Sequence, residues 1–98
     1  MVDPATLTRR VLIEGYVQGV GYRHFTRLSA RRHAISGWVR NQPDGTVEAL
    51  ISGTPENVER MIGELRRGPL GAHVRNVTLA EPGDAKWTAG EFVVRSTG

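Results

Sequence analysis

Polar and apolar positions alternate from Arg10 to Val17, with Val11, Ile13, Gly15 and Val17 on one parity and Arg10, Leu12, Glu14 and Tyr16 on the other. A period of two marks a half-buried strand. From Tyr22 to about Ala34 the spacing becomes helical, although the apolar stripe of Tyr22, Phe25, Leu28 and Ala30 is ragged. Arg23, Arg27 and Arg31 recur at every fourth position and line one side of that helix. They read as a solvated face of which only Arg23 abuts the preceding loop. Ser36 to Asn41 and Thr46 to Ile51 have strand composition and flank Pro43-Asp44-Gly45, where glycine is available for positive φ, so the pair predicts a hairpin.

Thr54-Pro55 opens a second helix, with threonine as N-cap and proline at the first helical position. Val58, Met61, Ile62 and Leu65 follow at i, i+3, i+4 and i+7, and Gly68-Pro69 closes the element. Ala72 to Ala80 reads as a further strand in which Val74 and Val77 have opposite parity, placing a bulge near Arg75 or Asn76. A polar loop, Glu81 to Gly90, carries Trp87 as an expected lid over the core and leads to a last short strand at Phe92 to Arg95. The residues before Thr8, 1–7, read as a loose leader, with Pro4 unsuited to any element.

This order predicts an α+β fold: a ferredoxin-like two-layer α/β sandwich, βαββαβ plus a short C-terminal strand, with a mainly antiparallel sheet and two helices on one face. In that topology the first two strands run parallel with the third between them. The loop after strand one and the end of strand two then emerge at the same edge, which brings Asn41 close to Arg23.

Composition narrows the class. At 98 residues, 39% of them hydrophobic, residues 1–98 make one domain with a single core. Cysteine is absent, so disulfides, thiolate metal sites and cysteine nucleophiles are excluded. No apolar run has signal-peptide or membrane-spanning length, and cytoplasmic residence without a membrane partner is the expectation. The net charge is +3, and of the 13 basic residues only Lys86 is a lysine. Arginine's planar fork suits phosphate oxygens, and coding composition accounts for the bias equally well.

The chemistry concentrates in Gly15-Tyr-Val-Gln-Gly-Val-Gly-Tyr-Arg23, a strand-to-helix loop with three glycines. Glycine admits positive φ and close backbone approach, so successive amides of such a loop can point at one anion. Arg23 falls in the first helical turn, where the macrodipole disfavours a cation unless an anion lies between it and the amides. On loop composition alone, a tight connection with Arg23 reaching solvent is the favoured account. The loop matches neither Gly-x-Gly-x-x-Gly nor a P-loop.

Together with Gly37-Trp-Val-Arg-Asn41-Gln-Pro-Asp-Gly-Thr-Val47, this loop resembles the two signature segments of the acylphosphatases, and the resemblance extends over the whole chain. It implies hydrolysis of the carboxyl-phosphate bond of acyl phosphates to a carboxylate and inorganic phosphate. By position it makes Gln18, Gly19, Val20, Gly21 and Tyr22 the phosphate cradle, Arg23 the charge clamp and Asn41 the residue that orients the attacking water. Gly15 and Gly19 would shape the loop. It implies a metal-independent monomer without a cofactor, whose partner is a small acyl phosphate, with phosphate or another oxyanion in the site. A carboxylate is a good leaving group, so positioning and charge stabilisation suffice without a general acid.

Other readings compete for the same residues. The pI near 10.2 and the fold type fit an RNA-binding module, but the third strand, Thr46-Val-Glu-Ala-Leu-Ile51, lacks the aromatic motif of such domains, so no specific nucleic-acid partner is expected. An anion-binding accessory domain is the third reading; a chain ending at Gly98 favours a freestanding enzyme over it. His24 is expected at the surface, about 100° round the helix from Arg23. His33 is expected as a packing or dipole partner at the end of the first helix, in a place where the family usually has an aliphatic residue. With Ser29 offering little apolar area, that helix is expected to be less firmly docked. Asp44 is explained by its turn.

Overall fold

The computed structural model describes residues 5–98. Its elements are β1 (Leu7–Tyr16), α1 (Tyr22–Arg32), β2 (Ser36–Asn41), β3 (Val47–Gly53), α2 (Pro55–Arg67), β4 (His73–Ala80) and β5 (Phe92–Val94). They form one five-stranded sheet in the order β4-β1-β3-β2-β5, antiparallel except for the parallel pair β2–β5. This is the ferredoxin-like arrangement, with β3 between the two parallel strands β1 and β2 as expected.

The core follows the strand parity. Val11 and Ile13 of β1, Val39 of β2 and Val47, Ala49 and Ile51 of β3 are fully buried against Tyr22 and Ala30 of α1 and Val58, Met61 and Leu65 of α2. Both helices therefore cover the same face. Removing a Val, Leu, Ile or Met side chain from water contributes about 1.5–3 kcal/mol, so these residues supply much of the drive to fold. Among the described residues no helix is long and apolar enough to cross a membrane.

Several boundaries differ from the sequence pattern. β1 starts at Leu7, which pairs with Gly53, so the last residue of the expected leader belongs to the sheet; residues 1–4 of that leader lie outside the described residues. The pairing continues because β3 extends to Gly53 and offers backbone partners that periodicity in β1 cannot reveal. α1 ends at Arg32, with His33 as C-cap and Ala34 in the left-handed region at φ 52°. The β4 bulge is present: Glu14 pairs with Asn76 and Gly15 with Val74, leaving Arg75 unpaired.

Gly15 serves that bulge rather than the loop. Its φ is +130°, and a Cβ there would come within 2.1 Å of the His73 carbonyl oxygen. Trp87 is not the lid it was expected to be. It stays 37% exposed, while Lys86 O accepts a hydrogen bond from Trp38 Nε1 at 3.1 Å. The loop that carries Trp87 thus meets Trp38 through its main chain. Trp38 is also flanked by the Arg40 and Arg95 guanidinium groups, 5.1 and 4.7 Å from its ring centroid.

Candidate active site

The loop between β1 and α1 is held by three anchors. Val17 is buried in the core, and Val20 packs partly buried against it. The Gln18 side chain donates both of its amide hydrogens across to the β2–β3 turn, from Nε2 to Gln42 O and to Thr46 O, each at 2.8 Å. That tie spans more than twenty residues and fixes the loop beside Asn41, the residue preceding Gln42. Gln18, expected only as part of the cradle, is thus also what positions the cradle. A glutamine in a loop gives no sequence signal for such a bond.

Between these anchors Gly19 and Gly21 both adopt φ +76°, with open space where a Cβ would stand. Gly21 is the N-cap of α1, and no side chain caps this end. Phe25 N–H bonds Gly21 O at 3.0 Å, the first bond of the helix. Among the described residues, no protein acceptor is bonded to the main-chain N–H groups from Gln18 to His24. A helix leaves its first N–H groups without internal partners, and here they converge with the positive end of the macrodipole. No acidic side chain stands in the first turn to offset that field.

Arg23, Asn41, Gly19, Gly21 and Tyr22 share one open cavity of about 620 Å³. Gln18 and Val20 do not line it, because their side chains turn to the hairpin and the core. Arg23 is half-buried, and its Nη1 donates to Arg95 O at 3.1 Å in the segment after β5. That segment is itself tied to β2 by Arg95 N–H to Val39 O at 2.8 Å and Gly98 N–H to Asn41 O at 3.2 Å. The segment after β5 therefore holds the Arg23 side chain and the Asn41 main chain at the cavity. Tyr22 contributes main chain only: its ring is core, and its hydroxyl donates to Leu65 O at 2.6 Å. Burial pushes that phenol well above the usual tyrosine range.

Two residues enter the cavity against expectation. His24 is exposed as foreseen, yet it forms part of the wall. Arg27 was read as solvated face and lines the same cavity as Arg23, because β5 packs beside α1 and turns an open helix face into one side of a groove. A last strand of three residues, Phe92–Val94, carries little periodicity from which that packing could have been read.

Asp44 stays out of the site. Its Oδ1 accepts from Thr46 Oγ1 at 2.6 Å and from Thr46 N–H at 3.1 Å, and these bonds, the hydroxyl's first, hold its carboxyl below the usual range. His33 is likewise structural: with Ser29 and Arg32 it binds Glu64 of α2, Ser29 Oγ donating to Oε1 at 2.7 Å. The helix expected to dock loosely is instead tied to α2 by a polar cluster. Among the described residues no three His, Asp or Glu side chains gather to hold a metal ion.

A model of the acylphosphatase family matches residues 9–93. The chain belongs to the acylphosphatase family. Among its relatives, an acylphosphatase of Bordetella parapertussis is 48% identical over 77 residues, covering 79% of this chain and 82% of the relative. One of Rhodopseudomonas palustris is 40% identical over 97 residues, covering 95% and 98%. The solved structure of an acylphosphatase from Coxiella burnetii superposes with a TM-score of 0.83 at 31% identity, over 92% of this chain and 93% of that one. The matched span includes the glycine loop, Arg23 and Asn41, the parts of this acylphosphatase fold that meet in the cavity.

Proposed function

We propose that this protein hydrolyses acyl phosphates to a carboxylate and inorganic phosphate, as a metal-independent cytoplasmic monomer that needs no cofactor. The observation that carries the reading is the uncapped N-terminus of α1, whose Gly19, Gly21 and Tyr22 line one cavity with Arg23 and Asn41. The phosphoryl group sits on the N–H groups of Gln18, Gly19, Val20, Gly21 and Tyr22, with the Arg23 guanidinium against its oxygens. Asn41 holds water on the face away from the acyl oxygen. The water oxygen forms a bond to phosphorus as the bond from phosphorus to the acyl oxygen breaks, and a phosphate oxygen takes the water's proton. The departing carboxylate requires no proton at neutral pH, since its pKa lies near 4. The protein's task is then to fix geometry and to neutralise charge as it redistributes.

Benzoyl phosphate hydrolysis, followed by ultraviolet absorbance in the presence of a chelator, tests this. Wild-type activity should survive chelation. Arg23→Ala should lose phosphate binding and turnover together, and Asn41→Ala should retain phosphate binding while losing rate. Undiminished turnover in Arg23→Ala would overturn the assignment.

A further inference from the structure

The cavity that holds Arg23 does not end at Arg23. It continues along α1 into a second groove of about 630 Å³, and the two share Arg27, Phe92 and Val93. One wall is the α1 face with Arg27, Ala30 and Arg31, the other is the β5 side with Glu91, Phe92 and Val93. Arg23, Arg27 and Arg31 thus form a row beside an apolar strip, and the one carboxylate on either lining is Glu91. Among the described residues neither Arg27 nor Arg31 has a carboxylate within ion-pair distance.

Folding gains nothing from this row. Like charges four residues apart on a helix oppose it, and α1 contains no acid to relieve them. Successive members lie about 6 Å apart along the axis, which follows from the helical rise. A ligand whose phosphoryl group occupies the Arg23 end can therefore lay methylenes on Phe92 and Val93 and present a second anion to Arg27.

We infer that Arg27, with Arg31 behind it, is a subsite for a second anionic group on the acyl portion of the substrate. The inference rests on the acyl-phosphate reading above and deepens it: acyl phosphates that carry a distal carboxylate or phosphonate are preferred over those with an uncharged acyl chain of equal length. Arg27 determines specificity, while the reacting atoms remain with Arg23, the loop amides and Asn41.

The test compares adipoyl monophosphate with hexanoyl phosphate, which match in length and differ in the terminal carboxylate, and adds 5-phosphonopentanoyl phosphate as the phosphonate arm. Benzoyl phosphate serves as the control for the basic activity. Wild type should favour the substrates with a distal anion over hexanoyl phosphate about tenfold in kcat/KM, and added salt should erode that ratio because the subsite is open to solvent. Arg27→Gln should bring the ratio close to one. Arg31→Gln should lower it by about half, as expected for a more exposed charge. Preference for the carboxylate alone or the phosphonate alone identifies which anion the row accepts, and either supports the subsite. A wild-type ratio near one, or a ratio that Arg27→Gln leaves in place, overturns the inference while benzoyl phosphate turnover leaves the acylphosphatase reading standing. A folded wild type inert toward benzoyl phosphate takes both down.

Discussion

The two helices of this fold begin in opposite ways. At the start of α2 the Thr54 hydroxyl accepts the Asn57 N–H at 3.2 Å, Pro55 removes one donor, and Glu56 adds a negative charge to the first turn. Every local rule is obeyed, and the end is sealed. At the start of α1, Gly21 stands in the left-handed region with no side chain to offer, no acid follows, and Arg23 adds a positive charge where the dipole opposes it. Both helices pack on the same sheet face, so burial cannot account for the difference. On the proposed function, the cap missing at the start of α1 arrives as the substrate's phosphoryl group.

The comparison breaks most sharply if α1 is given an internal cap. Aspartate tolerates the left-handed region better than most residues, and the space beyond Gly21 is open. Gly21→Asp should fold, place a carboxylate against the unbonded amides and Arg23, and compete with phosphate for both. Benzoyl phosphate turnover should fall about 100-fold or more, comparable to removing one charge-stabilising donor. A Gly21→Asp protein that binds inorganic phosphate as well as wild type would show that the open end is not the anion site.

The next effect lies where the two helices meet. Glu64 of α2 receives bonds from His33, Ser29 and Arg32 of α1, and its side chain is only 17% exposed. Burial alone would raise its pKa, but the bonds from His33, Ser29 and Arg32 and the Arg32 charge outweigh it and hold the carboxyl at about 2, against 4.5 when free. The folded pKa is the lower one, so this stabilisation is complete above pH 4.5 and is lost as pH falls from there toward 2. Denaturant unfolding at pH 7 should show Glu64→Gln less stable by about 2 kcal/mol, the contribution of a hydrogen-bonded charged group. The gap between wild type and variant should narrow as pH falls below 4.5 and close only near pH 2 or below. Equal stability at pH 7 would mean the cluster does not hold α1.

Sealing can be undone at α2 as well. Thr54→Ala should cost about 1 kcal/mol of stability. It should leave turnover unchanged, since Thr54 is remote from the cavity lining and Pro55 has no N–H to offer an anion. A melting curve and a benzoyl phosphate assay on the same protein separate the two effects, and a loss of rate without loss of stability would contradict the distinction between the two ends.

What the sequence disclosed follows the same division. α2 was legible in full, from Thr54 to Gly68, because caps and a 3.6-residue period are local. The β4 bulge was legible from the parity of Val74 and Val77, and Asn41 could be placed near Arg23 from element order alone. α1 was harder: Thr26 and Ser29 are buried polar residues in its core-facing stripe, satisfied by Tyr22 O and by Glu64, which no period records. Gln18, Gly15, Leu7 and Arg27 were misjudged or incompletely read for one reason. Each takes its role from a partner distant in sequence: the hairpin turn for Gln18, β4 for Gly15, the end of β3 for Leu7, and β5 for Arg27. Such pairings exist only once the chain has closed.

The smallest expected effect sharpens the contrast at the other helix ends. α2 stops at Gly68 with φ 68°, whereas α1 is followed by Ala34 at φ 52°, the one non-glycine residue with positive φ among those described. A Cβ in the left-handed region costs about 1–2 kcal/mol. The turn persists because Ile35 N–H bonds Ala30 O at 2.9 Å and draws Ile35 into the core. Ala34→Gly removes the steric cost but frees the unfolded chain, which returns about 0.4–1 kcal/mol to the other side. The net should be a gain of about 0.5 kcal/mol, or about 3 °C in Tm for a domain of this length. Since Ala34 borders the groove beside Arg31 rather than the Arg23 cavity, benzoyl phosphate turnover should not change. A lower Tm would mean that the strain at Ala34 is smaller than its φ implies, and that the turn after α1 is conventional where the start of α1 is not.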